Sequence, residues 1–552
     1  MLIQLLVLLI RTLTGYLLAA GQVLSARHTV EWGLRLAPAS ADLWSLRGRI
    51  LLRLTAGGTR WRGDAAQLLE EARTAYARAA DLRPRDPEIW REHGLVLQNL
   101  AWVLAVRGGG TPRPDLLGAA AAEYTRVLDV QPRRAEVLHE RAMTRAGLRA
   151  GLPDAEALGW LEAALADLDR SLDLRPHAPE VALHRAEVRS DLAGIHHRAG
   201  RKALEVDLRR AGLEDCARAL RLRPGWQPLL LRQGREATAL AAMGDDPAKN
   251  GDLAIAATTT VLREQPRHLQ ALIARSQARV AAACRLCVQG DARAALVWRQ
   301  ALTDLDAALE AAGLRGREEI IALRGGALAQ WAEAQDRAGD GVAAREAWQA
   351  AVEAFDQAVD DDPADARRLA GRAAALACLA DRAEPVDQAV QLRRRAVLDF
   401  GQALALRPDD AAALAGRAMA RCGPVATAAE ARQALGEADH ALTLYPEHAG
   451  VRGARRHCLL ALIVALPSGP ERGDVLATTL GECALGLAAA PTDPLAHYDH
   501  ARVLFLSGRA AEAYRALEQA IHLAPGLRLT ARRDPVWGPV AAGAGFRRLI
   551  GE

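Results

Sequence analysis

Residues 68–94 read LLEEARTAYARAADLRPRDPEIWREHG, and residues 345–371 read REAWQAAVEAFDQAVDDDPADARRLAG. Both stretches contain a small residue, an aromatic residue four positions later, a second small residue three positions later and a proline five positions later. These residues are Ala72, Tyr76, Ala79 and Pro84 in the first stretch and Ala351, Phe355, Ala358 and Pro363 in the second. The same spacing at two distant places indicates an internal repeat.

The repeat covers most of the 552 residues. Eleven prolines, and Gly313 in place of a twelfth, follow apolar runs at intervals of 34 to 50 residues, and we call them markers. The markers are Pro38, Pro84, Pro132, Pro176, Pro224, Pro266, Gly313, Pro363, Pro408, Pro446, Pro491 and Pro525. Ten of the twelve residues that lie twelve positions before a marker are alanine. Spacings of four and three place the small and aromatic positions on one face of a helix.

Each marker separates two predicted helices. Proline ends the first helix because it has no amide hydrogen, and it restricts the residue before it. In the second helix the residue six positions past the marker is large, as in Trp44 and Trp90, and the residue ten past is small, as in Gly48 and Gly94. The residues predicted to cap this second helix are Ser40, Asp86, Asp365 and Asp410. We call the helix after a marker helix A and the helix that ends at the next marker helix B, so the sequence predicts antiparallel A–B pairs and an all-α fold.

The pattern W-x2-L-G…A-x3-F-x2-A-x4-P resembles the tetratricopeptide repeat, and the likeness spans roughly residues 21 to 526. It implies an α-solenoid, a right-handed superhelix of about twelve antiparallel helix pairs. It also implies that the A helices line a concave face that binds segments of partner proteins. The family's unit has about 34 residues. Most units here are longer, so the chain looks like a bacterial array with lengthened repeats.

Three segments are predicted. Residues 1–20 form an apolar helix, the A helix of the first unit, with a possible membrane or upstream-domain contact. Residues 21–528 form the solenoid, and residues 529–552 a C-terminal capping segment. Because no basic region precedes the first apolar run and Arg11 interrupts it, a packed helix is favoured over a signal peptide or a membrane span.

Composition argues against several functions. The net charge is +4 with 25% charged residues of both signs, unlike the basic stripe of nucleic-acid binders, so no nucleic-acid partner is predicted. Lys202 and Lys249 are the only lysines, and neither fits a phosphate-binding loop or a kinase motif. The seven scattered cysteines suggest a reducing compartment. We therefore predict a non-enzymatic, cytoplasmic protein without a cofactor, with membrane association through residues 1–20 as the alternative.

Two short motifs could carry chemistry. Cys284 and Cys287 form a C-x-x-C pair, but a zinc site needs two more ligands, so packed helix side chains are predicted and no metal site. His497 occupies the position of the tryptophan in the repeat, next to His500, and is predicted to have a packing role.

The resemblance places the partner-binding residues at the second, fifth, ninth and twelfth positions of each A helix. The candidates are Asp42, Arg49, Arg91, Gln98, Glu136, His139, Glu187, Arg235 and Gln277. The predicted function is a protein–protein interaction scaffold that binds a protein or peptide partner. The alternatives are a docking or regulatory arm of a larger signalling enzyme, such as a bacterial protein kinase, and a membrane-tethered assembly factor. The oligomeric state is left open.

Overall fold

A computed structural model of the chain describes residues 2–56, 64–108, 110–313, 316–423, 426–446 and 448–551. Within these ranges there are 26 α-helices, one short 3-10 helix and no strand, so the predicted all-α class is confirmed. The first helices are α1 Leu2–Ala19, α2 Val23–Leu36, α3 Ala41–Ala56, α4 Ala65–Leu82, α5 Pro87–Gly108, α6 Pro114–Val130, α7 Ala135–Leu148, α8 Asp154–Leu174, α9 Pro179–Arg198 and α10 Lys202–Leu222. The next are α11 Gln227–Ala242, α12 Pro247–Glu264, α13 Leu269–Val288, α14 Ala294–Ala312, α15 Arg317–Ala338, α16 Gly341–Asp361, α17 Ala366–Ala380 and α18 Val386–Leu406. The last are α19 Ala411–Arg421, α20 Ala428–Leu444, α21 Ala449–Ala465, α22 Pro470–Ala489, α23 Pro494–Leu506, α24 Ala510–Leu523, α25 Leu527–Arg533, the 3-10 helix Pro535–Val540 and α26 Ala544–Ile550.

Consecutive helices pack as the predicted A–B pairs, for example α3 on α4, α5 on α6, α15 on α16 and α23 on α24. B helices also pack on the A helix that follows, as α4 does on α5 and α16 on α17. The chain divides into two compact units. Unit 1 comprises Met1–Ile195 and Leu208–Leu229, and unit 2 comprises His196–Asp207 and Leu230–Glu552.

The markers end helices as predicted. Helix α4 stops at Leu82, two residues before Pro84, and the Arg83 amide closes the last turn by donating to the Ala79 carbonyl. Gly313, the one marker that is not proline, is the C-cap of α14 at φ 63°, a backbone conformation that glycine adopts without strain.

All four predicted capping side chains accept a hydrogen bond from the first turn of the next helix. The donors are the amides of Leu43 to Ser40 at 3.4 Å, Glu88 to Asp86 at 3.0 Å, Arg367 to Asp365 at 2.8 Å and Ala413 to Asp410 at 3.0 Å.

The small residue of helix A lies under the aromatic residue of helix B. A Cβ atom added at Gly48 would lie 2.4 Å from the ring of Tyr76, and one added at Gly94 would lie 3.0 Å from the ring of Tyr124. Both tyrosine rings are fully buried. The absence of a side chain at the glycine therefore sets how closely the two helices approach.

The large residue six positions past a marker makes a recurring contact with the marker itself. The indole nitrogen of Trp44 donates to the Pro38 carbonyl at 2.8 Å, and Arg452 Nε donates to the Pro446 carbonyl at 2.8 Å. His497 Nε2 lies 2.9 Å from the Pro491 carbonyl, so this histidine makes the same kind of contact as Trp44.

The two ends of the chain are packed differently. Helix α1 buries Ile10 against α2 and α3, together with Leu6, Val7, Leu17 and Leu18. In unit 2, Trp537 and Phe546 of the C-terminal segment are 1% exposed and pack on α23 and α24.

The boundaries at residues 20 and 528 remain sequence predictions. In the described part of the chain, every helix is too short or too polar to span a bilayer.

The close contact between Gly48 and Tyr76 provides a first test. Gly48→Ala should destabilise unit 1 by about 1–3 kcal/mol, because the new methyl group overlaps Tyr76. Gly118→Ala is the matched control: Gly118 is exposed inside α6 with open space around it, so alanine should stabilise by up to ~1 kcal/mol. Thermal melts with hydrogen exchange of α3 and α4 measure both changes. Equal effects of the two variants would contradict the packing described here.

Candidate interaction surface on the A helices

Seven of the nine candidate residues, from Asp42 to Glu187, lie in unit 1, whereas Arg235 and Gln277 lie in unit 2. In unit 1 the candidates are distributed over helices α3, α5, α7 and α9, and most of them bond to a residue on a neighbouring helix or turn. We call the exposed and half-buried polar surface of these four helices the A face.

Neighbouring A helices are joined by ion pairs. Arg49 Nε of α3 lies 3.4 Å from Oε1 of Glu92 on α5, and Ser45 donates to the other oxygen of Glu92 at 3.3 Å. Arg91 of α5 binds both oxygens of Glu140 on α7, at 2.9 and 2.5 Å. The hydrogen bond to Glu140 raises the pKa of Arg91. The fork geometry fixes both side chains, since two parallel bonds leave little freedom.

The acidic candidates at the start of the A helices are paired with arginines of the turns. Arg83 donates to both oxygens of Asp42 at 2.9 and 2.8 Å, and Arg175 donates to Glu136 at 3.0 Å. Arg134 donates to the other oxygen of Glu136 at 3.1 Å. These carboxylates therefore also tie helix A to the turn that ends its B helix.

The remaining candidates differ in their surroundings. Gln98 Oε1 accepts from the hydroxyl of Tyr124 at 3.1 Å. Glu187 is half-buried on α9, where its charge acts on His184. In unit 2, Arg235 bonds to Gln270, and Gln277 is exposed on α13.

His139 forms a pair that the sequence did not reveal. Its Nε2 lies 2.6 Å from Nδ1 of His184 on α9, and the ring centroids are 4.8 Å apart. Burial and the neighbouring His184 lower the pKa of His139 to about 4, and burial lowers the pKa of His184. Both rings are neutral at pH 7, so one donates the hydrogen that the other accepts.

The partners Glu92, Glu140 and His184 were missed as site residues, although a sequence signal exists for them. All three stand eight positions past their marker, and each bonds to a residue seven or eleven positions past the preceding marker. Aligning the units by their markers would have shown that the position eight past the marker holds a polar residue in these three units.

A second set of polar contacts lies between the helices of each pair. In unit 1, Arg141 of α7 binds both oxygens of Asp167 on α8 at 2.8 and 2.7 Å, while Arg145 approaches the same carboxylate at 2.7 Å. The Asp167 side chain is 4% exposed. Arg141 also donates to Thr125 of α6 at 3.2 Å, so it joins its A helix to the B helices on both sides. We call such a contact an arginine bridge.

The contact between a basic side chain of helix A and a carboxylate of helix B recurs at fixed positions. In seven of the twelve units the residue nine positions before the marker is acidic, and in all seven an arginine or, in one unit, a histidine nine positions past the preceding marker contacts it. The pairs are His93–Glu123, Arg141–Asp167, Arg185–Asp215, Arg275–Asp304, Arg372–Asp399, Arg417–Glu437 and Arg455–Glu482. All seven of these basic side chains are half-buried and contact a carboxylate within the fold.

The C-x-x-C pair packs on a neighbouring A helix. Cys284 Sγ lies 3.5 Å from the Gln330 carbonyl and Cys287 Sγ lies 3.5 Å from Oε1 of Gln335, both on α15. Burial raises the pKa of the Cys284 thiol to about 12. Among the described residues, no group of three or more histidine, cysteine, aspartate and glutamate side chains is arranged to hold a metal ion.

Several solved structures resemble this chain, and tetratricopeptide-repeat proteins are among them. One is the crystal structure of yeast Tom70, at 14% identity and a TM-score of 0.37, covering 91% of this chain and 99% of that one. A tetratricopeptide repeat protein from Parabacteroides merdae has 17% identity and a TM-score of 0.36, covering 59% and 98%. A thermophilic repeat protein from Thermus thermophilus has 18% identity and a TM-score of 0.28, covering 42% and 98%.

No protein-family model and no curated protein matches the sequence. At these identities and TM-scores the structural likeness concerns the fold and does not identify a ligand.

Removing the carboxylate of an arginine bridge should be costly. Asp167→Ala leaves the half-buried Arg141 and Arg145 without their buried counter-ion, and we expect a loss of about 3 kcal/mol in the stability of unit 1. The control Asp81→Ala breaks the exposed Arg78–Asp81 pair and should cost at most ~0.5 kcal/mol. Urea unfolding followed by hydrogen exchange of α7 and α8 compares them, and similar losses would show that the bridge does not stabilise the pair.

The histidine pair predicts a pH dependence. The folded pKa of His139, about 4, lies below its ordinary value of 6.5, so the unfolded chain binds more protons between these values. The stabilising contribution is present above pH 6.5 and is lost as the pH falls towards 4. The protection of the α7 and α9 amides, taken relative to the intrinsic exchange rate at each pH, should therefore decrease over this range.

The variant His139→Leu with His184→Leu should weaken this decrease in protection, whereas His28→Leu, which changes a histidine with an 81% exposed side chain, should not. Glu180 and Glu187 are the acidic side chains that oppose the low pKa values of the pair, and both variants retain them. An unchanged pH profile in the double variant would contradict the assignment.

Proposed function

We propose that this chain is a non-catalytic scaffold that binds a segment of a partner protein along the A face of unit 1. The fold is of the tetratricopeptide-repeat type, which generally serves as a protein-binding scaffold. The observation that carries the proposal is the row of cross-helix pairs, Arg49–Glu92, Arg91–Glu140 and His139–His184. They hold charged and polar groups of both signs at fixed places on consecutive A helices.

Several groups on and beside this face remain open to a partner. The Arg49 side chain is 54% exposed, Glu88 60%, Arg175 59% and Glu180 54%. Because a salt-bridged guanidinium or carboxylate retains donors or lone pairs, it can bond to a second group without leaving its first partner. The complementary ligand is a polar protein segment with charges of both signs and exposed backbone groups.

The chemistry of the thiols favours a binding role over catalysis. A cysteine nucleophile acts as the thiolate, which a low pKa promotes. Here burial raises the pKa of Cys284, Cys378 and Cys483, each to about 12. These thiols stay protonated at neutral pH, as structural cysteines do.

Site-specific photo-crosslinking tests the proposal. A photoreactive residue at Arg49 or Glu88 samples the A face, and one at Arg78 or Arg126 samples exposed positions of the B helices α4 and α6. We expect the same protein to be captured from both A-face positions and from neither B-helix position. Capture with equal yield from the B helices, or no capture from the A face, would contradict the proposal.

The affinity of the captured partner gives a quantitative readout. Arg49→Glu should weaken binding by about tenfold or more, because a hydrogen bond to a charged group contributes ~1.5–3 kcal/mol. Arg78→Glu makes the same charge change on the exposed surface of α4 and should leave the affinity unaltered. Equal melting temperatures of the two variants would exclude a folding defect as the cause.

A further inference from the structure

Helix α25, together with the glycine before it, contacts two separate parts of unit 2. We call residues 526–533 the α25 segment. Leu527 and Ala531, four positions apart, face the preceding pair, α23 and α24. Three residues spaced three and four apart face helices α15 and α16 and the turn after α17: Gly526, Leu529 and Arg533. The segment therefore has two sides with different partners.

The side that faces α23 and α24 is buried. Leu527 and Ala531 belong to the core cluster that α23, α24 and the C-terminal segment form together. The residue that follows the segment, Asp534, accepts a hydrogen bond from the Tyr498 hydroxyl at 2.9 Å and lies 2.8 Å from Nε of Arg502, both on α23. Buried apolar surface and charged hydrogen bonds thus fix the segment to the last helix pair.

Two glycines allow the other side of the segment to approach α15 and α16. A Cβ atom added at Gly526 would overlap the carbonyl oxygen of Asp336, near the end of α15. One added at Gly341, the first residue of α16, would lie 2.9 Å from a methyl carbon of Leu529. Leu529 nevertheless remains 36% exposed, so the contact covers only part of its surface.

The third contact on this side is an ion pair. Arg533 Nη2 lies 2.8 Å from Oε1 of Glu384, which is in the turn between α17 and α18, and the two side chains are 40 and 72% exposed. Exposed pairs of this kind add little to stability and are weakened by salt. The contacts with α15 to α17 are therefore much weaker than those with α23 and α24.

The surface that receives the segment is itself fixed. The Asp336 side chain accepts a hydrogen bond from the indole nitrogen of Trp348 on α16 at 3.1 Å, and both of its oxygens bind Arg382, just after α17. These bonds join α15, α16 and the end of α17. When the weak contacts break, the three helices therefore separate from the segment as one block.

We propose that the α25 segment is a releasable strap. Its buried side stays on α23 and α24 while its exposed side separates from α15 to α17, so unit 2 has a clasped form and a released form. The strap joins helix pairs that are not neighbours in the array. Its release leaves the curvature of the helices between them, α18 to α22, to contacts between neighbouring pairs. An anion that pairs with Arg533 competes with Glu384 and favours the released form.

Crosslinking tests the clasped form. In the variant Gly341→Cys with Leu529→Cys, a short bismaleimide should join the two new thiols, because these positions are in contact. The control Gly341→Cys with Thr530→Cys places the second thiol at an exposed position on another side of the same helix, and it should react at least about tenfold more slowly. The chain without new cysteines gives the background of the native thiols, and mass spectrometry of peptides identifies the crosslink.

Charge reversal tests the release. In the crosslinking variant, Arg533→Glu should slow the reaction by about threefold or more, because two carboxylates then face each other. Adding Glu384→Arg should restore the rate, and raising the salt concentration should slow it in the parent variant. The control Arg509→Glu makes the same charge change beside Glu512, in an exposed pair of the last helix pair, and should leave the rate unaltered.

A glycine variant separates release from local unfolding. Gly526 has φ −61° and ψ −21°, helical values that alanine adopts readily, but the new methyl group would overlap the Asp336 carbonyl. Gly526→Ala should therefore slow the crosslinking while hydrogen-exchange protection of α24 stays unchanged. The control Gly545→Ala has open space around it in α26 and should change neither quantity.

Three results would overturn the proposal. Equal crosslinking rates for the two cysteine pairs would show that the clasped form does not exist. A rate that responds neither to salt nor to Arg533→Glu would show that the contact is permanent. Slower crosslinking accompanied by loss of protection in α24 would show that the segment does not stay on the last helix pair.

Discussion

The close approach of two helices at a residue without a side chain is the contact on which the rest of this structure depends. Tyr76 and Tyr124 occupy the space that a Cβ atom at Gly48 or Gly94 would fill, and both rings are completely buried. Where the B helix carries the smaller Leu168, the A helix has Ala142 instead of glycine. The A-helix position is small in each of these pairs, which lets the two helices approach closely although few aromatic residues are available.

The arginine bridges add a polar layer between the same helices. A buried ion pair is not in itself strongly stabilising, because both groups lose their hydration. The three bonds nevertheless require one relative position of the helices. Arg141 donates two parallel hydrogen bonds to Asp167 and a third to Thr125. A helix that shifted by one residue along its partner would leave buried charges without partners. We therefore attribute to the bridges a role in fixing the register of each pair. The contact between the small residue of helix A and the large residue of helix B supplies the buried apolar area.

The helix pairs could be predicted because their signals are local. Proline, capping aspartates and the small and aromatic positions act within one turn or one helix, so single-sequence reasoning found them, including His497 at a tryptophan position. The bonds of the A face join residues more than 40 positions apart, such as Arg91 with Glu140 and His139 with His184. Each arginine resembles a solvated surface residue until its partner is known. The side chains of the proposed binding face could thus be named from the sequence, whereas the pairs that they form could not.

These pairs bear on the energetics of the binding that we propose for the A face. A flexible arginine loses side-chain freedom when it binds a ligand, at a cost of up to about 2 kcal/mol. Arg91 is already held by Glu140, and Arg49 lies against Glu92, so part of that cost is met when the chain folds. The same bonds also lower the net attraction that each arginine exerts on an anionic partner. A surface of this kind favours ligands that match the positions of its groups over ligands that carry a large charge, which is consistent with a chain whose own charges are nearly balanced.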